Sequence, residues 1–117
     1  MLFRSINPDG LVNQIEGGVI QTVSRTLMEQ VNWTRARVTS VDWATYPIMR
    51  FHDVPKVEVV LIDRPTEQPW GAGEPTPTAI PAAVANAIFD ATGARLRSVP
   101  ITPEKVKAAM AQGPARA

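Results

Sequence analysis

A row of apolar residues spaced four apart runs from Leu11 through Ile15, Val19, Val23 and Leu27 to Val31, with Val12, Ile20 and Met28 in a second row beside it. That spacing predicts one long helix with a broad buried face. Asn7 is placed to cap it, Pro8 suits its first position, and Asp9 puts a carboxylate at the positive end of the helix. The opening turn and helix together are expected over Ile6 to Gln30. Gly17 and Gly18 interrupt the body, and each costs about 1 kcal/mol relative to alanine. A helix that keeps two such glycines lets something approach its backbone closely, tight packing on another helix or strand being the plainer version.

Beyond Asn32 the pattern changes. Trp33 to Trp43 carries Val38, Thr39 and Val41 and predicts an extended stretch or hairpin, and Tyr46-Pro47 and Val54-Pro55 each force an extended or turn conformation. Lys56 to Ile62 (KVEVVLI) is the best strand in the sequence, expected to be central in a sheet. A loop of about a dozen residues follows from Pro65 to Pro77, a length that tends to be functional. Thr78 is the expected cap of a second helix with Pro81 in its first turn, a stripe from Ile80 to Ala91, and Gly93 as its stop. Arg95 to Val99 predicts a short strand, and Thr102-Pro103-Glu104 the start of a last helix through about Ala111. The fold class expected is α+β, a small mixed sheet packed against two to three helices. Residues 1–112 are expected to form the domain and 113–117 a frayed tail.

Composition narrows the chemistry. With 117 residues there is room for one domain. Twelve basic against 11 acidic residues give no electrostatic case for nucleic acid or an anionic membrane surface. No run of about 18 apolar residues suggests a membrane span, and the opening MLFRSINPDG lacks the apolar core of a secretory signal. The absence of cysteine removes thiolate metal sites and a cysteine nucleophile. The single histidine, His52, lies beside Asp53 and reads more readily as a hydrogen bonder than as a base. Gly71-Ala72-Gly73 begins like a dinucleotide fingerprint, but position 76 is Thr and no strand precedes it closely. Asp42, Asp53 and Asp63 lack calcium-loop spacing, and the serines lack a nucleophile-elbow context.

Glu74 stands apart. It closes the long loop in Gly71-Ala72-Gly73-Glu74-Pro75, where the glycines allow a close backbone approach and the proline restricts the carboxylate's direction. It reads as a general base or as a solvated loop acid.

Five motifs in order, over about Ser5 to Met110, resemble one family. They are Ile6-Asn7-Pro8-Asp9, then Asn13-Gln14-Ile15-Glu16-Gly17-Gly18, then Tyr46-Pro47-Ile48-Met49-Arg50-Phe51, then Gly71 to Pro75, then AVANAIFDATG from Ala83 to Gly93 with LRSVPITPEK from Leu96 to Lys105. Together they resemble the C-terminal region of the molybdopterin-binding large subunit of the xanthine oxidase and aldehyde oxidase family, closest in flavour to isoquinoline 1-oxidoreductase β-subunits. The resemblance implies a molybdenum hydroxylase, which adds water-derived oxygen to an aldehyde or N-heteroaromatic carbon. It implies Glu74 as the catalytic base, Gln14 as a hydrogen-bonding partner of the pterin, and Gly73 as a point of close backbone approach to the cofactor. Glu16 and the glycines after it are assigned to packing. The cofactor implied is molybdenum with molybdopterin in its cytosine dinucleotide form. The partners implied are the remaining part of the molybdopterin-binding subunit and an iron–sulfur subunit, in a bacterial cytoplasm or periplasm.

Large subunits of this family are several times longer. The chain is therefore expected to be a split-gene product, a truncated gene product or an excised piece, inactive by itself because one helix face and one loop cannot enclose a dinucleotide-sized pterin. One face of the first helix is then expected to be apolar and orphaned, with self-association as its consequence. The alternative from a different class is a non-catalytic structural or interaction domain.

Overall fold

The computed structural model describes residues 4–113. Its regular elements are helix α1 (Pro8–Leu27), a short 3-10 turn (Phe51–Asp53), helix α2 (Pro75–Thr92) and helix α3 (Pro103–Ala111). Helix α1 starts as its sequence dictates, with the Asn7 side chain accepting the Gly10 N–H at 2.9 Å and Pro8 at the first position. Its two apolar rows are buried or half-buried from Leu11 to Met28, whereas Val31, past the end of the helix, is exposed. Helix α3 is capped by Thr102, and α2 ends on Gly93 in the left-handed conformation (φ 71°) that glycine adopts without steric cost.

The start of α2 differs from the sequence expectation. Glu74, not Thr78, is the cap residue, and Pro75 takes the first helical position, so Pro81 lies inside the helix. Prolines at 75 and 77 fall where the backbone N–H groups have no partner within the helix, and a first turn therefore tolerates them.

Helices α1 and α2 pack on each other, and they meet at a glycine. A Cβ built on Gly18 would lie 3.3 Å from the Thr76 Cβ, whereas one on Gly17 would meet nothing within 4 Å. Gly18 therefore lets the first turn of α2 approach, and Gly17 faces open space. Lower down, α1 buries hydroxyls rather than large apolar groups. Thr22 donates to the Gly18 carbonyl at 2.6 Å and Thr26 to the Thr22 carbonyl at 2.7 Å. These bonds to the preceding turn satisfy polar groups that burial would otherwise strand. After α2 the chain returns to the end of α1, where the Ile101 N–H donates to the Thr26 carbonyl at 2.6 Å. Leu11, Ala94 and Ile101 are the buried apolar residues among those described.

The α+β expectation is overturned: the fold is helical, and no β-strand forms among the described residues. Trp33 and Val38 make an isolated antiparallel bridge, the remnant of the expected hairpin. Lys56 to Ile62 keeps the residue-by-residue alternation of a strand, with Val57, Val59 and Leu61 half-buried and Glu58, Val60 and Ile62 exposed. An alternating run becomes a strand only with a neighbouring edge to share its hydrogen bonds, and no partner strand is present among the described residues. Arg95 to Val99 likewise is no strand; it leads into the tether at Ile101. The expected tail lies outside the described residues from position 114 onward.

The orphaned apolar surface also falls elsewhere than expected. It lies not on α1 but on the segment between the helices, where Trp33, Val41, Trp43, Phe51, Val60 and Trp70 are exposed.

Candidate functional site

Helix α1 contributes Gln14 to the site. Gln14 is exposed and lines a cavity of about 240 Å³ at the start of α1, with Arg4, Asn7 and Gly10 on one side and Pro69, Trp70 and Ala72 on the other. The long loop before α2 therefore folds back over the beginning of α1. Gly73 and Glu74 follow Ala72 directly and do not line this cavity; both are exposed where its loop wall ends and α2 begins. The structure thus brings Gln14 together with the loop that carries Gly73 and Glu74. The Gly18–Thr76 contact fixes this relation, because Gly18 is one turn along α1 from Gln14 and Thr76 is two residues past Glu74.

The Glu74 side chain makes no capping hydrogen bond to α2. The backbone near it is open as well, since a Cβ on Gly71 or Gly73 would meet nothing within 4 Å. Gln14 offers both an amide donor and an amide acceptor at the cavity wall. An exposed carboxylate, a two-way amide and uncovered backbone fit the polar edge of a pterin-like heterocycle. They do not fit a metal bound by side chains, as no group of three or more His, Asp or Glu among the described residues could hold one. His52 pairs with Asp53 at 3.3 Å in an exposed turn, as expected of a hydrogen bonder. No helix among the described residues is long and apolar enough to cross a membrane.

A polar cluster that the sequence did not disclose joins α1 to the segment around Tyr46. The Tyr46 hydroxyl donates to Glu29 Oε2 at 2.8 Å, the Ser24 hydroxyl donates to Glu29 Oε1, and the Met49 N–H donates to Ser24 Oγ at 3.0 Å. The bond to Glu29 holds the Tyr46 hydroxyl above its ordinary pKa, because ionisation would set a phenolate against a carboxylate. Glu29 and Tyr46 are too far apart in sequence for any helical or strand spacing to link them. Trp70 is a second residue whose placement only the structure shows: the sequence put it in a functional loop, and the fold makes it a wall of the Gln14 cavity.

The family described as molybdopterin cofactor-binding domain matches residues 4–55. A nicotinate dehydrogenase subunit of Pseudomonas putida is 47% identical over 112 residues, covering 93% of this chain and 9% of that protein. The beta subunit of isoquinoline 1-oxidoreductase from Brevundimonas diminuta is 36% identical over 97 residues, covering 82% of this chain and 12% of that protein. Among solved structures, quinoline 2-oxidoreductase from Pseudomonas putida 86 superposes with a TM-score of 0.79 at 28% identity, over 93% of this chain and 15% of that one. The chain thus spans roughly a tenth to a seventh of the length of these relatives.

Proposed function

The chain belongs to the molybdopterin-binding subunits of the xanthine oxidase family, and on that premise we propose that residues 1–112 are the C-terminal, base-bearing domain of a molybdenum hydroxylase. The reading rests on one observation above all: α1 with Gln14 and the loop leading to Glu74 wall a single region, held by the Gly18–Thr76 contact. In the complete enzyme the reaction is hydroxylation of an aldehyde or N-heteroaromatic carbon with water-derived oxygen. Molybdenum with molybdopterin, in the cytosine dinucleotide form, supplies the redox chemistry when bound.

This chain's residues have three tasks. Gln14 orients the pterin through its side-chain amide, which can donate and accept at once. Gly73 leaves its backbone free of a side chain, so that the cofactor can lie against it. Glu74 takes the proton released as the oxygen nucleophile forms, a general-base contribution of about 10²–10⁴ in rate. The cavity of about 240 Å³ is smaller than the roughly 300–1,000 Å³ typical of sites that enclose a small ligand. The chain therefore supplies one wall, and the remaining part of the molybdopterin-binding subunit would supply the others, with an iron–sulfur subunit as the redox partner that the family reading implies.

The test is Glu74→Gln in the assembled enzyme. Turnover is expected to fall at least about 100-fold with molybdenum content unchanged. Unchanged turnover would remove Glu74 from the mechanism.

A further inference from the structure

The stretch Tyr46 to Phe51 does not line the Gln14 cavity, yet its backbone is firmly held. Two points pin it to the second half of α1: the Tyr46 hydroxyl on Glu29 at 2.8 Å and the Met49 N–H on Ser24 at 3.0 Å. Ser24 is itself buried and bound to the same Glu29 carboxylate. Two residues past the second pin, Phe51 opens a 3-10 turn closed by the Asp53 N–H on the Arg50 carbonyl at 2.9 Å. The phenylalanine is 100% exposed. The backbone on both sides is thus hydrogen-bonded, and a large aromatic side chain is held in water by it.

Phe51 does not stand alone. Trp33, Trp43 and Trp70, the three tryptophans of the chain, are 71%, 64% and 72% exposed. The molecule exposes 8839 Å², about 2,600 Å² more than a compact protein of 12.7 kDa would show. Its radius of gyration of 17.6 Å exceeds the roughly 13 Å of a compact chain of this length. Each partner in a permanent interface gives up about 1,000–2,500 Å², so the excess is enough for one such interface. Exposed aromatic rings on a fixed backbone are the usual anchors of these surfaces.

We infer that Phe51, held out by the Ser24–Glu29–Tyr46 clip, is the anchor by which the segment from Trp33 to Ile62 docks into the rest of the molybdopterin-binding subunit. The occupant follows from length. The relatives match over most of this chain, yet the match is only 9–15% of their own length, so in each a far larger body accompanies this region. The inference rests on the family reading and not on the role of Glu74.

The experiment uses the nicotinate dehydrogenase subunit of Pseudomonas putida, deleted for the region that this chain matches, as the probe. The tagged chain is co-expressed with it, and the captured probe is quantified by gel filtration and mass spectrometry. The wild-type chain is expected to hold the probe in a one-to-one complex. Phe51→Ala, which removes no contact within the chain, is expected to weaken capture at least tenfold with helical circular dichroism unchanged, Phe51→Leu less so. Tyr46→Phe, which loosens the clip while keeping Phe51, is expected to fall between wild type and Phe51→Ala. Capture of the probe by Phe51→Ala at wild-type strength, no capture by the wild-type chain, or a self-dimer that excludes the probe would each overturn the inference. Glu74→Gln is carried in parallel. Capture by Glu74→Gln at wild-type strength, with turnover kept when the same variant is measured in the assembled enzyme, would end the catalytic role while leaving the docking surface supported.

Discussion

Gly18 and Thr76 stand so close that a Cβ on the glycine would lie 3.3 Å from the Cβ of the threonine, whereas the adjacent Gly17 faces nothing within 4 Å. Two neighbouring glycines in one helix thus have opposite reasons to be there. Alanine at either position gains about 0.5–1 kcal/mol of helix propensity. At Gly17 that gain stands alone, so Gly17→Ala is expected to raise the melting temperature of the isolated chain by a few degrees. At Gly18 the new methyl must displace Thr76, whose backbone is braced by Pro75 and Pro77. Gly18→Ala is therefore expected to melt at or below the wild type. Thermal denaturation followed by circular dichroism decides, and equal gains at both positions would contradict the packing.

Tyr46 is the only tyrosine in the sequence, so its ionisation can be followed by phenolate absorbance without ambiguity. Its hydrogen bond to Glu29 raises its pKa above the ordinary value of 10.0. The midpoint is expected above that value in the native chain and close to it in Glu29→Ala. A raised folded-state value means that the folded form keeps this proton longer than the unfolded form. The stabilisation is then fully present below about pH 10 and is lost as pH rises through the folded value. Tyr46→Phe is expected to abolish that part of the alkaline loss.

What the sequence disclosed and what it hid divide along the range of the interactions. Helix α1, its Asn7 cap, the Gly93 stop and α3 were legible because capping and four-residue periodicity act within a turn or two. The start of α2 was displaced by a few residues because Pro75, Pro77 and Pro81 all look like first-turn prolines, and only one helix start can hold. Lys56 to Ile62 misled for a different reason. Its alternation is real, but a strand is a relation between two segments, and the second is missing among the described residues. In the site, Gln14 and Glu74 stood out by their motifs, while the cavity wall at Trp70 and the Glu29–Tyr46 bond depend on chain folding that no local pattern encodes.

The caps give a direct stability comparison. Asn7 accepts the Gly10 N–H at 2.9 Å, whereas Thr102 accepts the Lys105 N–H at 3.4 Å. Replacing a cap by alanine costs typically about 1 kcal/mol, and the shorter bond is the stronger of the two. Asn7→Ala is expected to lower the melting temperature by about 4 °C and Thr102→Ala by less. Urea titration of both variants checks the order.

Gln14 gives the prediction that separates cofactor holding from catalysis. Its side chain lines the cavity at the start of α1, exposed and away from the chain's own core. Gln14→Ala should therefore leave the stability of the isolated chain within about 0.5 kcal/mol of the wild type, as for an ordinary surface change. In the assembled enzyme, on the proposed reading, the same substitution removes hydrogen bonds to the pterin worth about 1 kcal/mol, or roughly a fivefold loss of affinity. Molybdenum per subunit after dilution and gel filtration is expected to fall accordingly, and activity per bound molybdenum to be largely kept. Glu74→Gln should show the reverse pattern, with metal retained and turnover lost. If Gln14→Ala retained molybdenum at the wild-type level, the cavity at the start of α1 would not be part of the cofactor site, whatever role Glu74 plays.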